Sequence, residues 1–480
     1  MIKMNIDYQK LGFKCGIEIH QQLETNKLFC TCPSIVRDEN PDIYFTRKLR
    51  AVVGETGDID PAALHEQNKQ KTYNYEACSS SCCEVEFDEE PPHPVNEHAL
   101  HTVLMMAKLL NARITDELHF MRKTVVDGSN VGGFQRTGLV ATDGYIETSK
   151  GKVGITVILL EEEAAKKVKQ DNNTTTYRLD RLGIPLVEIG TDASIKDPEH
   201  AKEVASILGM ILRSTERVKR GLGTIRQDVN VSIKGGARTE VKGFQDLRSI
   251  PKVIENEVKR QLKEIKAGKK ISTEVRKAEP DFTTSFMRPM PGAARMYPET
   301  DIPVIPITKN ILDQIELPEL FSEKAFKLEK TYKLNSDISN EIIKAGVDLD
   351  IFAKKYPKVE PLTIARTLIE IPKEIKSRLN LDISKLSDND YNEVLDLLNK
   401  NQISKGNILD ILEKKIKGEK INLKQFEKAD EADIESEIKN IIKEKPNLTI
   451  GAYMGILMKK FHGKVDGKVL NHLLNKNMKS

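Results

Sequence analysis

The sequence predicts an α+β protein in which a strand-rich part comes first and helices alone follow. Up to about residue 300 the chain is rich in Gly, Thr, Val, Ile and Pro, and it alternates apolar with polar residues over short runs, the period of half-buried strands. After Pro303 and Pro306 it turns to Lys, Glu, Asn, Leu and Ile with few glycines, and the apolar spacing becomes helical. The main boundary falls there, giving a first domain over 1–305, a helical domain over 306–400 and a small helical tail over 401–480.

In chain order, residues 15–25 read as a strand. Ile17, Ile19 and Gln21 alternate with Glu18, His20 and Gln22, so a carboxylate and an imidazole share one face. Residues 96–111 carry Ala99, Val103, Met106 and Leu110 at helical spacing, and 198–213 repeat the pattern with Ala201, Val204, Ala205, Leu208 and Leu212. Both read as amphipathic helices packed on a sheet. Between them, Lys152 to Leu160 alternate as a strand. Beyond the boundary, helices are expected over 318–332, 336–345, 361–370, 388–399, 404–417 and 424–443, with Gly418 as a helix stop.

The net charge of +3 excludes a polycation, so any nucleic-acid surface has to be local. Residues 441–480 supply one, with eight lysines against Glu444 and Asp466. No apolar run approaches the ~20 residues that cross a bilayer, and a cytoplasmic protein is expected. Six cysteines are too few for a disulfide framework. Cys30 and Cys32 with Cys78, Cys82 and Cys83 fit either a shared zinc ion or buried thiols.

Three further segments aim acidic or basic groups from apolar surroundings. Leu159-Leu160 runs into Glu161, Glu162 and Glu163, and like charges so close call for a cation, a base or a solvated helix start. Glu188 stands between Val187 and Ile189, and needs a partner if buried. In residues 221–233, alternation sends Arg226, Asp228, Asn230 and Ser232 to one face, suited to phosphate and metal, with Glu240 following. No Walker A loop and no dinucleotide-binding glycine motif occurs. Together these segments point to a phosphate-handling site built on divalent metal.

Longer motifs run through the whole chain: Gly16 to Leu23, Leu28-Phe29-Cys30 with Cys32, Asp88 to Pro92, Asp127 to Thr137, Leu160 to Glu162, Arg226 to Ser232, Arg288 to Pro303, and Gly463 to Val469 near the end. In these motifs and their order the chain resembles the GatB/GatE family, in its archaeal E form, nearly end to end. The resemblance implies a mixed-sheet cradle domain, a helical domain and a helical tail that grips tRNA. It implies a ligase that uses ATP and Mg2+ to phosphorylate the side chain of glutamate on tRNA(Gln). Ammonia from an asparaginase-like partner, GatD, then displaces the phosphate in a hetero-oligomer.

On the family pattern His20, Glu162 and Glu188 would hold one Mg2+, and Glu18 with Asp228 or Glu240 a second. Arg226 would offset phosphate charge, with Asp228, Asn230 and Ser232 along the same nucleotide-binding strand, and Lys123 would gate ammonia. Glu18, Glu162, Arg226 and Lys123 are thus the catalytic candidates. Two departures stand out. The long insertion common in archaeal members is replaced by the short link 262–273, and Glu163 stands where the family has Asp. A bacterial-type role with GatA, acting also on Asp-tRNA(Asn), and a noncatalytic tRNA-binding protein are the alternatives.

Overall fold

The computed structural model describes residues 6–54, 57–244, 246–292, 295–419, 421, 431–446, 448–461, 465 and 467–478. The start of the helix expected over 424–443 lies outside them, as do Ala293 and Ala294 and parts of the motif from Gly463 to Val469. The chain forms two compact units, Met1–Leu320 and Phe321–Ser480.

The first unit is built on a mixed sheet of 11 strands. Its long run is Thr284–Pro289, Glu274–Ala278, Thr239–Lys242, Ile225–Ser232, Lys14–Gln22, Pro185–Thr191, Gly151–Glu162, Phe134–Thr148, Phe120–Thr124 and Met296–Pro298. Neighbours in this run are antiparallel except Thr239–Lys242 and Glu274–Ala278, which are parallel. The strand nearest the N-terminus therefore lies in the middle.

Alternation divides the sheet into an apolar and a polar face. Ile17, Ile19, Ile158, Leu160, Val187, Ile189, Val229 and Val231 enter the core. Helices Glu97–Leu109, Pro198–Ser214 and Ser249–Lys266 cover that face, supplying Val103, Leu104, Val204, Leu208, Val253 and Ile254. The first two begin where capping chemistry allows. Asn96 accepts from the Ala99 N–H at 3.0 Å, and Asp197 accepts from the His200 N–H at 3.0 Å, just before Pro198. The other face carries Glu18, His20, Glu161, Glu188 and Arg226 among its side chains.

A second sheet runs Ile43–Arg47, Thr72–Ala77, Thr174–Arg178 and Lys166–Gln170. Three of its tyrosines hold successive carbonyls of one loop. Tyr73, Tyr177 and Tyr75 donate to the carbonyls of Val126, Asp127 and Gly128 at 2.9, 2.8 and 2.9 Å. Gly128 has φ +90°, and a Cβ there would lie 2.2 Å from the Tyr73 ring.

The second unit is helical among the described residues. Ser336–Ala345 and Asp388–Asn399 match the expected spans, and Gly418 ends Ile408–Lys417 with φ +69°. The helix Pro361–Ala365 passes through a π-helical stretch, Arg366–Glu370, into Ile371–Arg378. One core gathers Ile342, Ile364, Leu395 and Leu412, and a separate one gathers Ile438, Tyr453, Leu457 and Leu474. No helix among the described residues is long and apolar enough to cross a membrane.

Candidate active site

The polar face of the large sheet borders a cavity of about 650 Å³. Glu18 and His20 enter it from the central strand, because the core takes Ile17 and Ile19. Strand register then decides what each meets. His20 is paired with Glu188 on one side and Arg226 on the other, and Glu18 with Asp228. Directly opposed residues in an antiparallel pair share a face, so each carboxylate arrives beside its partner.

The first group is His20, Glu161 and Glu188, whose ligand atoms lie within 4.8 Å of one another. His20 Nε2 is 3.2 Å from Glu188. Lys123 Nζ bonds Glu161 and lies 3.5 Å from Glu188. Thr137 and Gln135 also donate to Glu161, at 2.8 and 3.1 Å. Burial works against an ionised Glu188, but Lys123 and His20 outweigh it and hold that carboxyl well below the usual range. Burial likewise opposes the imidazolium, yet the Glu188 bond and charge leave His20 raised. Burial raises Glu161 in spite of Lys123.

The second group is Glu18, Asp228 and Glu240, again within 4.8 Å. Lys242 Nζ contacts Asp228 at 2.6 Å and also bonds Glu240. Asn230 donates to Glu18 at 2.8 Å and accepts from Arg238 at 2.9 Å. Burial pushes the Glu18 carboxyl up, and Glu240, Glu188 and Asp228 push it further.

Three expected residues take other positions. Glu162 does not join His20 and Glu188. It sits on the opposite face of its strand, where its carboxylate accepts from the Arg136 N–H at 2.9 Å and lies 3.6 Å from the Arg136 guanidinium. With Ile158 and Leu160 committed to the core, odd-numbered Glu161 and Glu163 face the cavity and Glu162 cannot. Glu161, not Glu162, is therefore the acid of this run that meets His20 and Glu188. Glu163 holds Arg226 at 2.9 Å, and its carboxyl is lowered, with burial opposing and Arg226 and Arg181 prevailing. Ser232 and Asn230 line a neighbouring cavity that shares Glu18, Glu188 and Arg238 with the first. Asn230 thus orients Glu18, and Ser232 stands beyond the cavity that Arg226 lines.

Several groups carry no assignment from sequence: Lys242, Gln135, and the cationic rim of Lys69, Lys71, Arg288 and Arg295. Parity alone would find Lys242, two residues after Glu240. Lys123 borders both this cavity and another of about 560 Å³ lined by His119, Met121 and Leu139. The cysteines are all free. Cys30, Cys32 and Cys83 converge with Glu86, whereas Cys82 lies 3.7 Å from the buried Lys27 ammonium and Cys78 accepts from Arg178.

The donor chemistry fits magnesium. One group is all carboxylate and the other is two carboxylates and an imidazole, and every member but Asp228 lines one cavity. The cavity volume also lies within the ~300–1,000 Å³ of small-ligand sites.

Comparison with known proteins agrees with this architecture. The GatB/GatE catalytic domain family matches residues 13–313, and the GatB domain family matches 349–478. The E subunit of glutamyl-tRNA(Gln) amidotransferase from Methanocaldococcus jannaschii is 38% identical, covering 99% of this chain and 100% of its own. The E subunits from Methanococcus vannielii and Archaeoglobus fulgidus are each 36% identical, covering 99% of both chains. The alignment to the first spans 631 positions against 480 residues here, so that relative carries residues without a counterpart in this chain. By its two matched domains and its near full-length likeness to the archaeal E subunits, the chain belongs to the GatB/GatE family.

Proposed function

We propose that this chain is the tRNA-binding subunit of an ATP-dependent amidotransferase that converts Glu-tRNA(Gln) to Gln-tRNA(Gln). The observation that carries the reading is the pairing of Glu18 and His20 on one strand face, which draws two separate donor groups into one cavity. A carboxylate is a poor electrophile, and phosphorylation converts it into one with phosphate as leaving group. Ammonia then displaces that phosphate to give the amide.

Magnesium bound at both groups would draw charge from the phosphate oxygens and hold the nucleotide against the substrate acid. His20, Glu161 and Glu188 would hold one ion, and Glu18, Asp228 and Glu240 the other. Arg226, fixed by Glu163, presents a guanidinium to the same cavity and would offset phosphate charge. Lys123 borders both cavities and bonds Glu161, and on this reading it would gate ammonia passing between them. The ammonia source is an asparaginase-like GatD chain, so the working enzyme is a cytoplasmic hetero-oligomer. The link between the helix ending at Lys266 and the strand starting at Glu274 is short. Selection of tRNA(Gln) without the relatives' extra residues would rest on the sheet domain and the lysine-bearing helices.

The test is direct. Purified protein with Glu-tRNA(Gln), ATP, Mg2+ and ammonium chloride should form Gln-tRNA(Gln) without a partner. No product, with tRNA binding intact, sinks the reading.

A further inference from the structure

A lysine pairs with each donor group, but the two lysines are held differently. Lys123 is nearly enclosed, its side chain 8% exposed, and it shares Glu161 with Thr137 and Gln135. Lys242 is 28% exposed and closes the strand Thr239–Lys242, and its ammonium pairs with Asp228 and Glu240. Its group gathers three carboxylates within 4.8 Å against that one ammonium, with Arg238 at 3.8 Å from Glu18. Three converging carboxylates outnumber Lys242 and the more distant Arg238, which leaves negative charge uncompensated. A four-carbon stem also lets the ammonium swing by several ångström without moving the backbone.

Resting on the proposed magnesium chemistry, we infer that Lys242 is an internal stand-in cation: it occupies the Glu18, Asp228 and Glu240 position until a divalent ion displaces it. Once displaced, its ammonium meets the phosphate groups in the cavity it already lines. Lys242 thereby keeps the three carboxylates together before the nucleotide arrives, and raises the concentration of free ion needed to fill that position. The occupant ion releases Asp228 and Glu240 from the lysine, so cation and lysine alternate on the same oxygens.

The experiment is a titration of full-length protein with Mn2+ alone, read by electron paramagnetic resonance of the free ion. Wild type should show one tight and one weak ion per chain. Lys242→Met should tighten the weak ion by at least about tenfold, the scale of removing one close competing charge. Lys242→Arg, which keeps the charge, should leave it weak. Glu161→Gln should remove the tight ion in either background. A weak ion of unchanged affinity in Lys242→Met, with the protein folded by circular dichroism, overturns the role of Lys242 alone. Absence of any bound Mn2+ in all variants overturns the metal reading on which it rests.

Discussion

The Glu162 carboxylate accepts a hydrogen bond from the Arg136 N–H at 2.9 Å, and so faces away from His20. The neighbouring Glu161 faces His20 and Glu188. Exchanging each for Gln should separate two roles. Glu161→Gln should lower the phosphorylation rate by at least about 100-fold if its carboxylate holds a metal ion. Glu162→Gln should cost about 1–3 kcal/mol of stability by leaving Arg136 less compensated. Urea denaturation and an ATP-consumption assay on both variants would reveal a reversed order.

Glu299 bonds Arg122 at 2.6 Å and Arg136 at 2.8 Å, and also accepts from the Asp301 N–H. Burial opposes its charge, but these partners bring its carboxyl down to about 2 from 4.5. A lowered carboxyl stabilises the fold fully above its unfolded value and loses that contribution as pH falls towards the folded one. Glu299→Gln should therefore be less stable than wild type at pH 7, and the gap should narrow as pH falls from about 4.5 to about 2. A gap that stays constant over that window would rule the linkage out.

Gly128 has no room for a methyl group against the Tyr73 ring, and its φ of +90° disfavours any side chain. Gly128→Ala should lose about 2–4 kcal/mol by strain and overpacking. Because Val126 and Asp127 of the same loop line the cavity, ATP affinity should weaken as well. Thermal unfolding and nucleotide titration measure the two effects on one sample.

Truncating residues 441–480 would be a poor test of tRNA binding, since Tyr453, Leu457 and Leu474 form a core with Ile438. Lys443, Lys445 and Lys459 are exposed and replaceable. Changing all three to Gln should flatten the dependence of log affinity on log salt by about 2–3 units if each meets a phosphate. An unchanged slope in filter binding would assign them to plain solvated surface.

Much of this is legible in the sequence because the sheet is regular. Period-two alternation places Glu18 and His20 on one face, and the capped starts at Asn96 and Asp197 mark two of the core helices. Glu162 is easily misplaced because three consecutive acids hide their parity unless the count is carried from Leu160, whose apolar side chain fixes the face. The helix Ser249–Lys266 is harder to see, although Ile250, Val253, Ile254 and Val258 carry its period. Its start has no side-chain cap, so the usual entry signal is missing. Parity places Lys242 on the face of Glu240, but a lysine beside acids looks like ordinary solvated charge until the fold brings Asp228 to it.

The position of Lys14–Gln22 in mid-sheet has a consequence for synthesis. Both its neighbours, Pro185–Thr191 and Ile225–Ser232, come much later in the chain. At the ~5–20 residues per second of translation, roughly 10–40 s pass between emergence of this strand and of its last partner. Until Pro185–Thr191 emerges, most of the way through that interval, Ile17 and Ile19 have no neighbouring strand to pair with, and the nascent N-terminus must be shielded or remain unpaired. Such long-range pairing makes for slow folding, and the two donor groups, which need strands far apart in sequence, should assemble late.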